Sequence, residues 1–315
     1  MLNRRHLRVK VLQALYAYHQ SQDKDIRAAE KKLLKSVDEV AELYMWLLSL
    51  LVETADYAIM DADERANKHL PTENDLNVDV KLHHNKFITA LRANEDYVSG
   101  LKKYKISWNF DPEIARSIFT TLKSSPEYGA YLNQEEHNIK TDKDIIKFLF
   151  RTIIMKSAVV EQLFEEKFIN YPIDKEVLQA LVAKTLKNFS NENPKENKLP
   201  EILPNWEDDR EFIITLFSKV IAFDTEYQKY IADKTKNWEA ERIAMMDVLL
   251  MKLAITELVH FNSIPVKVSI NEYIELSKEY STPKSNSFIN GILDKILADL
   301  KENGKIRKFG RGLLE

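Results

Sequence analysis

Glycine scarcity constrains this chain more than any other feature. Only 6 glycines occur in 315 residues, and none lies between Gly129 and Gly291. A Rossmann sheet or a phosphate-cradling loop needs glycine at its tight turns. The glycine scarcity argues against both and favours an all-α chain. With 44% hydrophobic and 30% charged residues the chain is globular rather than disordered. Cysteine is absent, so there are no disulfides, thiolate metal ligands or catalytic thiols, which agrees with a reducing cytoplasm. The first residues lack the apolar core of a signal peptide. No uncharged apolar run reaches transmembrane length, so the expectation is a soluble cytoplasmic protein with no membrane contact.

Charge is uneven. The whole chain is at −3, yet residues 1–10 carry Arg4, Arg5, Arg8 and Lys10 with no acid. Residues 301–315 carry Lys301, Lys305, Arg307, Lys308 and Arg311 against Glu302 and Glu315. Basic ends on an acidic body point to a local polyanion site; basic termini without function are the alternative.

Residues 3–20 have the spacing of an amphipathic helix, with Leu7, Val11, Ala14, Leu15 and Tyr18 as its apolar stripe. Arg5 and Arg8 lie beside the stripe, where substitution is expected to spare the fold, and Tyr16 continues that flank. A guanidinium clamps phosphate and a tyrosine offers a stacking face. Residues 30–68, 84–104 and 142–168 each read as helical. Asp111-Pro112 reads as a helix start and Ser124-Ser-Pro as a break. A helix starts at Asn170 and runs towards Phe189. Ser190–Pro204 reads as a linker, and Phe212–Lys234 as one helix. Ser269 and Glu272 have capping-box spacing, predicting a helix start at Ser269. Ser285 or Ser287 is expected to cap the last helix. Its buried stripe is Phe288, Ile289, Ile292, Leu293, Ile296 and Leu300, with Gly291 serving close helix approach. Residues 142–186 also echo 209–253, pairing Ile146 with Ile213 and Leu149-Phe150 with Leu216-Phe217. A decayed duplication and chance matching of amphipathic helices both account for this.

Several motifs together resemble the NusB family of RNA-binding transcription antitermination factors. They are Asn3-Arg-Arg-His-Leu-Arg with Gln13-Ala-Leu-Tyr, then Trp238 and Arg242-Ile-Ala with Asp247, Lys252 and Glu257-Leu. Ile264-Pro-Val-Lys-Val-Ser-Ile-Asn-Glu and Phe288-Ile-Asn-Gly-Ile-Leu-Asp-Lys complete the set. Trp238 and the neighbouring Leu and Met positions read as core. Three positions depart from the usual pattern: His6 and Lys252 replace arginines, and Lys284 stands where many relatives have an acid.

The resemblance implies a NusB-like helical bundle built from residues 1–60 and 206–300. Residues 61–205 are then a helical insertion without a second basic cluster, and 301–315 a basic tail. It implies binding to boxA-like single-stranded RNA of nascent rRNA transcripts. It also implies pairing with the ribosomal protein NusE in an RNA polymerase antitermination complex. Arg4, Arg5, His6, Arg8 and Tyr16 are the expected RNA contacts at one end. Lys284, Ser285, Asn286, Ser287 and Phe288 are the expected contacts at the other, with helix-opening amides holding phosphate. Asp247, Lys252 and Glu257 are expected to face NusE. No cofactor, metal or catalytic residue is expected. His83-His84 and Glu136-His137 lack metal-site spacing, and no nucleophile triad assembles. The rival readings are an interaction scaffold without RNA binding, and the RNA-binding part of an rRNA-modification system.

Overall fold

The structure is a computed structural model describing residues 2–134, 138–190, 194–235 and 243–313. Trp238, Arg242 and the Glu136-His137 pair lie outside the described residues. Among the described residues the regular structure is entirely helical. The chain divides into two compact units: a terminal unit of Leu2–Val37 with Leu203–Glu315, and a middle unit of Asp38–Ile202.

The terminal unit contains α1 (Arg4–Gln20), the opening of α2 (Ile26–Ala66), and then, from later in the chain, α11 (Trp206–Ala222) and α12 (Asp224–Lys234). It closes with α13 (Met245–His260), α14 (Val266–Tyr280) and α15 (Ser285–Glu302). α13 is its central element. Leu249, Leu250, Met251, Leu253, Ala254, Ile255 and Leu258 are all buried, so this helix is covered on every side. α1, α11, α12, α14 and α15 pack around it. The tail after α15 belongs to the same unit.

The middle unit holds the rest of α2, α3 (Glu73–Leu76), α4 (Lys86–Arg92), α5 (Glu95–Tyr104) and α6 (Glu113–Lys123). α7 (Pro126–Leu132), α8 (Ile139–Phe148), α9 (Ala158–Lys167) and α10 (Tyr171–Asn188) follow. Leu43, Trp46, Leu47, Leu50, Leu51 and Ala55 of α2 are buried, as their spacing predicts. Among the described residues, α2 is long and apolar enough to cross a membrane by length and composition, although Glu42 and Glu53 interrupt its apolar run. Of that stretch 78% is buried inside the protein, the state of a core helix.

Several helix boundaries differ from expectation. The helix expected over 142–168 widens to a π turn at Leu149–Ile153 and a 3-10 turn at Ile154–Lys156, then restarts at Ala158 with Ser157 as cap. An ideal α-helix turns adjacent residues about 100° apart. The widened segment buries Leu149-Phe150 and Ile153-Ile154 all at once. The 84–104 segment breaks at Asn94, whose Oδ1 accepts the Tyr97 amide and caps α5. The 212–234 segment breaks at Phe223. α6 begins at Glu113 after Pro112, with no side-chain cap from Asp111. Residues 194–198 stay against the middle unit: Asn94 Nδ2 donates to the Asn197 carbonyl and Asn188 Nδ2 to that of Lys198. Gly291 faces open space: a Cβ added there would meet no atom within 4 Å, so it serves no close approach.

Candidate functional site

α14 begins at Val266, three residues before the expected cap. Ser269 is instead buried, and its hydroxyl donates to Glu257 Oε1 at 2.7 Å. One turn on, Tyr273 donates to Glu257 Oε2 at 2.9 Å. The four-residue spacing puts both donors on one face of α14. From α1, Arg8 closes the set with a bidentate pair, Nε to Oε2 at 2.8 Å and Nη2 to Oε1 at 2.7 Å. Glu257 is 0% exposed and Arg8 3%. A buried carboxylate needs paired charge and filled lone pairs, and these four hydrogen bonds supply both. Burial opposes the charge of Arg8, but its bonds to Glu257 and the carboxylate charge outweigh that, so the Arg8 pKa is raised.

This corrects the placement of Arg8 beside the stripe: it is inside, and its guanidinium is committed to Glu257. The ladder continues outward. Arg8 Nη1 lies 3.5 Å from Glu272, which Arg5 holds bidentately at 3.0 and 2.9 Å. The Arg5 hydrogen bonds hold the Glu272 pKa below its ordinary value. Arg5 is half-exposed. Arg4, also half-exposed, pairs with Asp209 at 3.3 Å and lies over the Phe212 ring at 4.3 Å. His6 Nδ1 accepts the Asn3 amide while Asn3 Oδ1 accepts that of His6, a reciprocal cap on α1.

The C-terminal tail reaches the same place. Lys308 Nζ donates to the main-chain carbonyls of Glu257 (3.3 Å) and Phe261 (2.8 Å). Burial lowers the Lys308 pKa to about 8. The Phe309 amide donates to the Asn262 carbonyl at 3.2 Å. At Gly312 a Cβ would fall 2.0 Å from that same carbonyl oxygen, so only glycine allows the approach. The two basic ends of the sequence thus meet at the C-terminal end of α13.

A second cluster marks the other end of α13. Asp247 is buried and accepts the hydroxyls of Ser281 and Ser285, the latter at 2.8 Å. Thr282 and Ser285 hydroxyls lie 2.8 Å apart. These bonds fix the turn between α14 and α15. Ser285 is buried and does not cap α15; the Asp247 carboxylate takes its hydroxyl instead. Lys284 and Ser287 are exposed, and Asn286 and Phe288 are half-buried. The Ser285 amide donates to the Thr282 carbonyl and the Ser287 amide to Asn286 Oδ1, so two of the three expected phosphate-holding amides already have acceptors.

Asp247 and Glu257 are ten residues apart on α13, about 15 Å of helical rise. α1 runs antiparallel alongside, with Arg8 at Glu257 and Gln20 Nε2 3.6 Å from Met245 Sδ. Tyr16, 41% exposed, lies between these points. Nine of the ten expected RNA contacts therefore fall into two groups at opposite ends of α13, with Tyr16 between them on α1. The three residues expected to face a partner are all internal. Lys252 is buried and pairs with Asp224 at 2.7 Å, near His19, whose pKa burial lowers. Asp247 and Glu257 have their charges turned to serines, a tyrosine and an arginine, because helix α13 has no solvent face to offer them.

Glu272, Ser269, Tyr273, Ser281 and Lys308 were not among the expected site residues. One signal for them existed: Glu257 and Asp247 sit in a helix that is apolar all round, and a charge there requires donors from neighbouring helices. Among the described residues no group of three His, Cys, Asp or Glu side chains is placed to hold a metal. His83 instead pairs with Asp56 at 2.8 Å.

Residues 174–298 match the model of the NusB family. A Salinibacter ruber protein, "Transcription antitermination protein NusB", is 44% identical over 105 residues, 33% of this chain and 66% of the relative. Its namesake from Chloroherpeton thalassium is 42% identical over 106 residues, 34% of this chain and 50% of the relative. That from Natranaerobius thermophilus is 37% identical over 92 residues, 29% and 66% respectively. The matched stretch spans between half and about two thirds of these relatives. No solved structure matches the chain at comparable significance.

Proposed function

Because residues 174–298 belong to the NusB family, we propose that this chain is a transcription antitermination factor that binds boxA-like single-stranded RNA of nascent rRNA transcripts. In this reading it acts in the cytoplasm with NusE, within an RNA polymerase antitermination complex, and by binding rather than catalysis. The observation that carries it is the construction of α1. The helix is locked through Arg8 to Glu257 and leaves Arg4 and Arg5 half-exposed at one end and Tyr16 at the other.

Single strands expose base faces and edges to such a surface. Arg4, Arg5 and His6 hold phosphates, and Tyr16 offers a stacking face. Lys284, Asn286, Ser287 and Phe288 receive the strand at the turn that Asp247 fixes. Arg8, Ser285, Asp247, Lys252 and Glu257 position these elements and touch neither RNA nor partner. Arg4 and Arg5 exchange their surface carboxylates for phosphate, a modest loss since such exposed pairs contribute about 0–1 kcal/mol.

The pairing of Arg4, Arg5 and Arg8 with Asp209, Glu272 and Glu257 is also what a protein-interaction scaffold without RNA binding would display. Titrating boxA-like RNA into the full chain, with and without NusE and across a salt series, separates the two. Salt-dependent binding strengthened by NusE is expected. Absence of RNA binding at every salt concentration selects the scaffold.

A further inference from the structure

The tail that Lys308 and Phe309 pin against α13 also walls a groove of about 700 Å³. Its other walls are the first turns of α14 and one face of α15 from Asn290 to Lys301. This is the size of an ordinary small-molecule site. It lies at the Glu257 end of the terminal unit, away from the turn at Lys284. Asn271 on its wall directly precedes Glu272, so on α14 the groove lies about 100° round from the Arg5 pair.

The lining has three chemistries. Lys267 and Lys301 stand exposed at the rim, and neither has an ion-pair partner among the described residues. By contrast, Arg4, Arg5 and Arg8 are all paired to carboxylates. α14 opens at Pro265 without a side-chain cap, adding the positive end of a 15-residue helix beside Lys267. Ile270, Leu297 and Ile306 supply an aliphatic floor. Asn271 and Asn290 line the groove with amides that both donate and accept and that have no side-chain partner among the described residues.

We propose that this groove binds a phosphorylated nucleoside: phosphate on Lys267 and Lys301, the base face on the aliphatic floor, and base edges on Asn271 and Asn290. Asp294, the one acid in the lining, accepts from a sugar hydroxyl. An acidic peptide fits less well. It would need donors throughout, and Asp294 and the aliphatic floor would oppose its carboxylates. The nucleoside has two sources, a unit of an RNA strand or a free nucleotide. The strand form rests on the RNA-binding function proposed above and extends its footprint past Arg5.

The test uses the full chain and a Lys267→Ala/Lys301→Ala variant, whose surface positions spare the fold. Each is titrated with a labelled single-stranded oligoribonucleotide, with AMP followed through the side-chain amide signals of Asn271 and Asn290, and with a polyglutamate peptide. For a strand-borne nucleoside, the variant binds the oligonucleotide about tenfold more weakly. Its salt slope flattens by about 1.4, from two contacts at about 0.7 each on a single strand. For a free nucleotide, AMP shifts the two asparagine signals in the parent chain and not in the variant. That second result supports the groove even if no oligonucleotide binds, an outcome that would sink only the antitermination reading. The inference is overturned if oligonucleotide affinity and slope are unchanged in the variant and AMP shifts neither signal. It is equally overturned if polyglutamate, rather than either RNA form, is what the two lysines hold.

Discussion

In the middle unit, α8 and its widened turns cover residues 139–156 and α9 covers 158–167; in the terminal unit, α11 covers 206–222 and α12 covers 224–234. The elements recur at the interval at which Ile146, Leu149 and Phe150 align with Ile213, Leu216 and Phe217, and all six side chains are buried. α4 packs on α8 as α1 packs on α11. The polar chemistry differs. Asp142 of α8 is fully buried and accepts from the Tyr131 hydroxyl at 3.0 Å and the Lys86 amide at 2.6 Å. Its counterpart Asp209 meets the guanidinium of Arg4. The middle unit has ion pairs of its own, such as Arg65–Asp75 and Lys123–Asp61, whereas the terminal unit runs a charged ladder from the fully buried Glu257 out to the half-exposed Arg5. A similar apolar pattern thus accompanies a similar succession of helices, while the charged contacts differ between the units.

The largest effect is expected at the inner rung. Arg8→Ala leaves the Glu257 carboxylate buried without its cation and should cost about 3–5 kcal/mol in urea denaturation. Arg8→Met with Glu257→Leu should recover most of that loss, since an apolar pair of similar volume replaces a buried ion pair at little cost. A loss below about 1 kcal/mol for the single substitution would show that Arg8 behaves as a surface residue. In the middle unit, Asp142→Asn, which keeps the side chain's shape and one acceptor oxygen, should cost less, about 1–3 kcal/mol. A larger cost than Arg8→Ala would erase the contrast between the units.

At the outer rung, Arg5→Ala should change stability by no more than about 1 kcal/mol while flattening the salt slope of RNA binding by about 0.7. Unaltered RNA affinity and slope would remove Arg5 from the interface. The smallest effect concerns pH. The folded-state pKa of Glu272 is depressed below 4.5, chiefly by hydrogen bonds from Arg5. Its contribution to stability is therefore present above that value and lost as pH falls through the folded-state pKa. The stability gap between the parent chain and Glu272→Gln should shrink on acidification below pH 4.5. A gap that widens there would reverse the sign assigned to this pair.

Much of this architecture was legible from periodicity. Most of the α1 stripe and the core positions of α2 and α15 fall where spacing puts them, apart from Ala14, Tyr18 and Phe288, which are half-buried. What spacing did not reveal was destination. Ser269 and Glu272 have the spacing of a cap, but the stronger demand of the buried Glu257 carboxylate draws the serine inward. Arg8 flanks an apolar stripe in projection, yet three helices enclose it. Asp247, Lys252 and Glu257 look like surface charges only until α13 is recognised as covered on every side. Long-range pairing is invisible to a local pattern: the partners of Glu257 lie at residues 8, 269 and 273. The tail showed its charge but not its anchoring, which depends on the α13 carbonyls and on Gly312.

The central claim is that the terminal unit alone carries the RNA face. Photocross-linking a boxA-like RNA substituted with 4-thiouridine to the full chain, and mapping the linked peptides by mass spectrometry, tests it most directly. Cross-links should fall on peptides containing Arg4–Tyr16 and Lys284–Phe288, and disappear at high salt as phosphate contacts are lost. Cross-links concentrated within residues 86–188 of the middle unit would contradict the account.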